Sequence, residues 1–253
     1  MNTLIAVPVF NERPYVARVL NRLREIHPHI LFVDDCSTDG TSEILAKQTG
    51  IAVIRHATNK GYGQAIIDAV DFAAKEKYDW LITIDCDEQH EPEMIPHFLA
   101  EIAKNDADMI SGTRYTPESN ADDAAPGDRR QINYTITGVL NELFDWNLTD
   151  SFCGFKAHRV SAMKELQLDE AGYAFPLQLW PRTFAVKHRV RELPVRRIYN
   201  DMTRKFGGGL DDAERRLKHY LSVLKRELKR INHPNADCVD NVTLGEFSGA
   251  GCS

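Results

Sequence analysis

Short runs that are apolar at nearly every position set the strongest limit on this chain: Leu4-Ile5-Ala6-Val7, Ile30-Leu31-Phe32-Val33, Ala52-Val53-Ile54 and Trp80-Leu81-Ile82-Thr83-Ile84. A strand with no polar face must be covered on both sides. Runs of this length alternating with amphipathic helices therefore predict βα repeats around a mostly parallel central sheet, an α/β domain. Ligands of such sheets sit beyond the carboxyl ends of the strands. Three of these strand ends carry polar groups: Asn11-Glu12, Asp34-Asp35, and Asp85 with Asp87.

The intervening segments read as helices. Val16, Val19, Leu20, Leu23 and Ile26 share one face of a helix that opens near Pro14. Ser37-Thr38-Asp39-Gly40 supplies turn and cap residues before a helix over Thr41 to Gln48. Asn59-Lys60-Gly61-Tyr62-Gly63 is a glycine-rich turn into a helix carrying Ala65, Ile66, Ala69, Val70 and Ala73. Farther on, strands are expected over Ala107 to Ser111 and Phe152 to Phe155, with pairing at a sheet edge within Val190 to Ile198, where Pro194 weakens a central placement. Helices are expected over Ile132 to Phe144 and Phe175 to Ala185. The loop from Thr116 to Asp128 has a length common in active-site lids.

With 253 residues, 43% of them hydrophobic, the chain can build one substantial core. The expected organisation is a main domain over 1–210, a basic amphipathic helix over 211–231 that packs on it or meets a membrane or partner, and a mobile polar tail over 232–253. No secretory signal and no membrane-spanning run is read. The five cysteines show no zinc-ligand spacing, and their odd number fits a reducing compartment, so a cytoplasmic protein is expected. The net charge of −6 is uneven: residues 181–231 carry 15 Lys/Arg against 6 Asp/Glu, which leaves 16 against 31 elsewhere. The basic segment suits an anionic partner, a phosphate or a membrane face, while the acidity of the whole argues against nucleic acid.

Asp85 and Asp87, two apart at a strand end, suit Mg²⁺ or Mn²⁺, with Gln89 as a further oxygen ligand and His90 as a nitrogen one. Such a cation would bridge a diphosphate leaving group. Asp34 or Asp35 can accept hydrogen bonds from a ribose or a base edge, and Asp39 is equally suited to capping a helix. Lys60 can reach a phosphate. Neither a Walker loop nor a dinucleotide fingerprint is present. Arg114, Arg129 and Arg130 flank the long loop and can bring guanidinium groups onto phosphate oxygens.

In order, these motifs are Pro8-Val9-Phe10-Asn11-Glu12, Val33-Asp34-Asp35 through Thr41, Asn59-Lys60-Gly61-Tyr62-Gly63, Asp85-Cys86-Asp87-Glu88-Gln89-His90 with Pro92-Glu93, and Gly112-Thr113-Arg114-Tyr115. Together they resemble the inverting family-2 glycosyltransferases of the GT-A fold, and within these the dolichyl- and polyprenyl-phosphate mannosyltransferase and glucosyltransferase branch, over roughly Ile5 to Val195. The resemblance implies that Pro8, Asn11 and Glu12 line a nucleotide pocket, that Asp35 contacts the nucleoside, and that Asp85, Asp87 and Gln89 hold the metal. It also implies that Arg114 with Arg129 or Arg130 grips phosphate, and that Asp150 to Lys156 lies near the acceptor.

Two departures stand out. Pro176 and Gln178 occupy positions where the family often has glutamine and glutamate, so a base for a hydroxyl acceptor is missing, which a lipid phosphate does not need. The transmembrane helices of some relatives are also missing, so a polyprenyl phosphate would be reached through the basic surface, the C-terminal helix, a membrane partner or a homo-oligomer. The implied reaction is a single displacement from a nucleotide sugar, GDP-mannose first, with UDP-glucose and UDP-N-acetylglucosamine open. A saccharide hydroxyl is the alternative acceptor. A receiver module, a non-catalytic binding protein and a nucleotidyltransferase are the rival classes.

Overall fold

A computed structural model describes residues 1–119, 127–196, 198 and 209–244. Among these, strands β1 (Thr3–Val9), β2 (Ile30–Asp34), β3 (Ala52–Arg55), β4 (Trp80–Thr83), β5 (Met109–Thr113), β6 (Lys156–Arg159) and β7 (Val190–Pro194) form one 7-stranded sheet in the order β3-β2-β1-β4-β6-β5-β7. Every neighbouring pair is parallel except those of β6, which runs antiparallel between β4 and β5. Pro194 closes the edge strand β7, where its missing N–H costs no ladder bond.

Side chains alternate between the two faces of the sheet, as the pleat requires. Ile5, Val7 and Phe32 point to the face covered by α1 (Val16–Ile26) and α4 (Ile95–Ala103), while Leu45 of α2 (Thr41–Ala46) closes its edge. Leu4, Ala6, Leu31 and Leu81 point to the other face, covered by α3 (Tyr62–Lys75), α5 (Gly127–Phe144), α6 (Val160–Glu165), α7 (Phe175–Ala185) and α8 (Ala213–Arg230).

The second half of the chain departs from its sequence reading in three places. The apolar run Phe152 to Phe155 is not the strand: pairing begins at Lys156, because the face of β6 that carries Lys156 and His158 lies under a cavity and is polar although buried. Likewise β5 runs to Thr113 through the polar but fully buried Ser111 and Thr113. Gly112 packs so near Phe155 that an added Cβ would stand 2.7 Å from its carbonyl oxygen. Finally, α5 begins at Gly127, and of the expected loop Pro117–Ser119 is a 3-10 turn while 120–126 lie outside the described residues.

The amphipathic helix α8 packs on the domain. Leu217, Tyr220, Leu224 and Leu228 are buried, and Arg182 of α7 meets the buried Glu227 at 3.0 Å. The chain after it is not uniformly mobile as expected. Cys238–Asn241 forms a 3-10 turn, Ala236 and Val239 are buried, and Lys225 pairs with Asp237 at 3.0 Å; residues 245–253 lie outside the described residues.

The Gly61-Tyr62-Gly63 turn packs against the 170–171 backbone. Gln64 N–H donates to the Ala171 carbonyl at 3.1 Å, and a Cβ at Gly61 would stand 2.5 Å from that oxygen. A Cβ at Gly63 would collide with the Glu170 carbonyl. Because backbone and not a flexible side chain blocks the space, Gly63→Ala should cost about 1–3 kcal/mol of stability, read as a lower urea midpoint at unchanged slope.

His158 offers a second check. It is 2% exposed, and burial first, then the Lys156 ammonium, push its pKa down to about 3. An unfolded histidine titrates near about 6.5, so between that pH and about 3 the unfolded chain holds a proton that the folded chain refuses. Stability is therefore lost as pH falls through this window, by about 1.4 kcal/mol per pH unit for this residue. Urea unfolding of the wild type and His158→Gln from pH 7 down to 4 should show the variant with the shallower decline.

Candidate active site

The carboxyl ends of β1, β2 and β4 open onto a cavity of about 610 Å³ between the sheet and helices α3, α5, α7 and α8. At the β1 end, Pro8 and Glu12 line it, and Glu12 N–H donates to Thr41 Oγ1 at 2.9 Å. Asn11 is exposed and outside the lining; with φ at +59° it forms the turn, its N–H donating to Ser37 Oγ at 2.9 Å and its side-chain oxygen accepting from Thr38 N–H at 2.8 Å.

The two aspartates at the end of β2 separate. Asp34 is turned inward, accepting from Ser37 N–H at 2.9 Å and from the Ser42 hydroxyl. Asp35 faces the cavity and accepts from the N–H groups of Lys60 (2.7 Å) and Gly61 (2.8 Å), with His56 Nδ1 at 2.6 Å. His56 Nε2 in turn lies 2.7 Å from Asp68. The Lys60 ammonium stands 3.8 Å from Asp68 and outside the lining, so this residue serves the site through its backbone. Asp39 belongs to the turn, accepting from Arg13 N–H at 2.9 Å and from Thr41 N–H at 3.0 Å.

Beyond β4, Asp85, Asp87 and Gln89 all line the cavity, and Gln89 N–H donates to Asp87 Oδ1 at 3.0 Å. Gly154 lies against the Asp85 carboxylate where any Cβ would collide with it. Burial first and the nearby Asp85 charge second hold the pKa of Tyr62 well above the usual range. His90 does not join them: it is buried behind the turn, Nε2 3.8 Å from Cys153 Sγ, with burial pushing its pKa down to about 4. No group of three or more His, Cys, Asp or Glu suited to a metal ion occurs among the described residues.

The lining also carries basic residues. Arg114 Nε and Nη2 donate to the fully buried Asp150 at 2.6 and 2.9 Å, and the Asn133 amide donates to the same carboxylate at 2.7 Å. Burial opposes the charge of Arg114, and Asp150 outweighs it, so the guanidinium stays protonated. Lys156 is 4% exposed, donates to Ser111 Oγ, and has Nζ 5.0 Å from the centre of the Trp180 ring; burial lowers its pKa. Arg129 lines the cavity, whereas Arg130 is exposed outside the lining.

Several lining residues were not singled out from the sequence. Arg216 and Tyr220 reach the cavity from α8, and Tyr62 and Tyr173 stack across it with centroids 6.1 Å apart. The i, i+4 spacing of Arg216 and Tyr220 places both on one helix face, a signal that was available. Of the two departures, Pro176 lines the cavity, but Gln178 points into the protein and accepts from Asp169 and Glu170 N–H groups, both at 2.8 Å.

The sequence model of glycosyl transferase family 2 matches residues 4–167. An undecaprenyl-phosphate mannosyltransferase of Micrococcus luteus is 29% identical over 220 residues, covering 83% of this chain and 89% of that protein. A polyprenol monophosphomannose synthase of Mycolicibacterium smegmatis is 28% identical over 203 residues, 76% of each chain. The fold is shared with glucosyl-3-phosphoglycerate synthase from Mycobacterium tuberculosis, solved with Mn²⁺, uridine-diphosphate and phosphoglyceric acid. There the TM-score is 0.68 at 16% identity, over 92% of this chain and 79% of that one. The family match spans well over half of the chain and takes in the strand ends that form the cavity, so the chain belongs to glycosyl transferase family 2 and is a glycosyltransferase of the GT-A fold.

Proposed function

We propose that the protein transfers a hexose from a nucleoside diphosphate sugar to a polyprenyl phosphate, inverting the anomeric carbon. The reading rests above all on the division of charge within one cavity. Glu12, Asp35, Asp85 and Asp87 stand at the strand ends, and Arg114, Arg129, Lys156 and Arg216 line the same cavity. Acidic groups of the first kind suit a nucleoside and a cation-bound diphosphate, and the basic residues suit a second anion. The relatives from Micrococcus luteus and Mycolicibacterium smegmatis, by their names, act on polyprenyl substrates.

Asp85, Asp87 and Gln89 present hard oxygen donors, the set that Mg²⁺ or Mn²⁺ prefers, and two carboxylates leave coordination positions for diphosphate oxygens. When bound, the cation would offset the charge that develops on the leaving diphosphate. The chain's own part is orientation: Gly154 packs against Asp85, the Lys60 and Gly61 N–H groups fix Asp35, and Asp150 fixes Arg114. An acceptor phosphate oxygen then attacks the anomeric carbon as the bond to the nucleoside diphosphate breaks on the opposite face. The acceptor is already ionised near neutral pH and needs no general base, in keeping with a Gln178 that is buried and turned away from the cavity.

GDP-mannose is the first donor to test, with UDP-glucose and UDP-N-acetylglucosamine beside it. A relative from Methanococcus voltae is named as a UDP-N-acetylglucosamine–dolichyl-phosphate N-acetylglucosaminyltransferase, so the donor differs among relatives. No helix among the described residues is long and apolar enough to cross a membrane. The reading therefore puts the working protein at a cytoplasmic membrane face, alone, as a homo-oligomer or with a membrane partner.

The test is a matrix of the three donors against a short polyprenyl phosphate and a saccharide, with and without Mn²⁺ or Mg²⁺. The expected result is one glycolipid of inverted configuration, formed only with the cation. Asp87→Ala should lower kcat/KM by about 100-fold or more. Donor binding without any glycolipid would reject the acceptor, glycosylation of the saccharide instead would favour a hydroxyl acceptor, and no donor binding would reject the whole reading.

A further inference from the structure

Helix α8 lies beyond the segment that matches the family, yet it supplies two residues, Arg216 and Tyr220, to the lining of the cavity. Arg216 is 2% exposed; its Nη2 donates to Asp128 Oδ2 and its Nη1 to the Leu210 carbonyl, both at 2.6 Å. Tyr220, one turn on and 3% exposed, stacks on Phe152 with centroids 5.2 Å apart, and both rings line the cavity. Asp128 and Arg129 are consecutive residues in the first turn of α5. An arginine there works against the helix dipole, and the carboxylate of Asp128 works with it. The Arg216–Asp128 pair thus ties the turn that presents Arg129 to a helix from the far end of the chain.

We infer that Arg216 is a positioning residue for the anionic acceptor: through Asp128 it fixes the first turn of α5 and with it Arg129, so that this pair serves acceptor recognition and not donor binding. The geometry separates the two functions. Asp35 is held by the Lys60 and Gly61 N–H groups and by His56, and Asp85 lies against Gly154. The acceptor side is held by α5, α7 and α8. Losing the anchor should loosen one side and leave the other intact.

This inference rests on the proposed reading of the cavity, and the experiment keeps the two apart. Farnesyl phosphate and the nucleoside diphosphate are each titrated calorimetrically into wild type, Arg216→Gln, Arg216→Lys and Asp128→Asn, and transfer kinetics are measured on the same proteins. Arg216→Gln and Asp128→Asn should each raise the acceptor Kd and KM by about 10-fold, with kcat within about threefold and nucleotide affinity within about twofold of wild type. Arg216→Lys, which keeps the charge but not the fork, should fall between. The double variant should be no worse than Arg216→Gln alone, because both changes break one pair.

Asp128, whose side chain is 42% exposed, gives a variant that tests the pair even if substitution at the buried Arg216 unfolds the protein. Acceptor affinity unchanged in a folded Asp128→Asn, or acceptor and nucleotide affinity falling together, overturns the inference and leaves the proposed function standing. A wild type that binds the nucleotide but no farnesyl phosphate sinks both.

Discussion

A carboxylate with no access to water must be paired, and Asp150, 0% exposed, is paired more fully than any other group around the cavity. It accepts from Arg114 Nε, Nη2 and backbone N–H, from the Asn133 amide, and from Phe152 N–H at 3.1 Å. Its own N–H donates to Glu192 of β7 at 3.1 Å. One side chain thereby joins the end of β5, the middle of α5 and the approach to β6, segments remote in sequence. Breaking such a pair from one side costs about 3–5 kcal/mol, so the arrangement is rigid. The guanidinium of Arg114 reaches the cavity already oriented.

The rigidity has a purpose in the electrostatics of the cavity. Carboxylates and cations within one cavity attract, and loose side chains would collapse into ion pairs that a ligand would then have to break. Here main charges of the cavity are tied to partners behind them: Asp35 to His56 and two backbone N–H groups, Arg114 to Asp150, Arg216 to Asp128. Lys156 rests against the face of Trp180 and is held by Ser111. The space between stays open, and the fields of these groups are fixed before anything enters.

The first half of the fold was legible because its strands are apolar on both faces and its helices are amphipathic, so periodicity and burial coincide. The second half was less legible because the site sits there. Lys156 and His158 are inward positions of a strand but polar, and Ser111 and Thr113 are buried without being hydrophobic, so the pattern pointed a few residues early in both cases. The same physics divided the site residues. Pro8, Glu12, Asp35, Asp85, Asp87, Gln89, Arg114 and Arg129 line one cavity as the motifs implied, while Asn11, Lys60 and Arg130 stand outside its lining. Asn11 and Lys60 shape turns through their backbones, which a residue-type argument cannot distinguish from a side chain that reaches a ligand. Arg216 was harder to single out for another reason: its neighbours along the helix are equally basic, and only its i, i+4 spacing with Tyr220 set it apart in the sequence.

The basic helix shows how far charge alone misleads. The excess of Lys and Arg over residues 181–231 reads as a docking surface, yet much of it is spent within the chain: Arg182 on Glu227, Arg226 on Glu170, Arg230 on Asp169, Lys225 on Asp240. The exposed pairs among these are worth only about 0–1 kcal/mol each, too little to hold a helix in place. Burial of Leu217, Tyr220, Leu224 and Leu228 does that, at about 1.5–3 kcal/mol for a large side chain. The ion pairs instead choose among the orientations that apolar burial alone would permit, since a rotation of the helix would face cations with cations. The orientation they select is the one that turns Arg216 and Tyr220 into the cavity, so the charge asymmetry of the sequence acts on the site through the packing of α8.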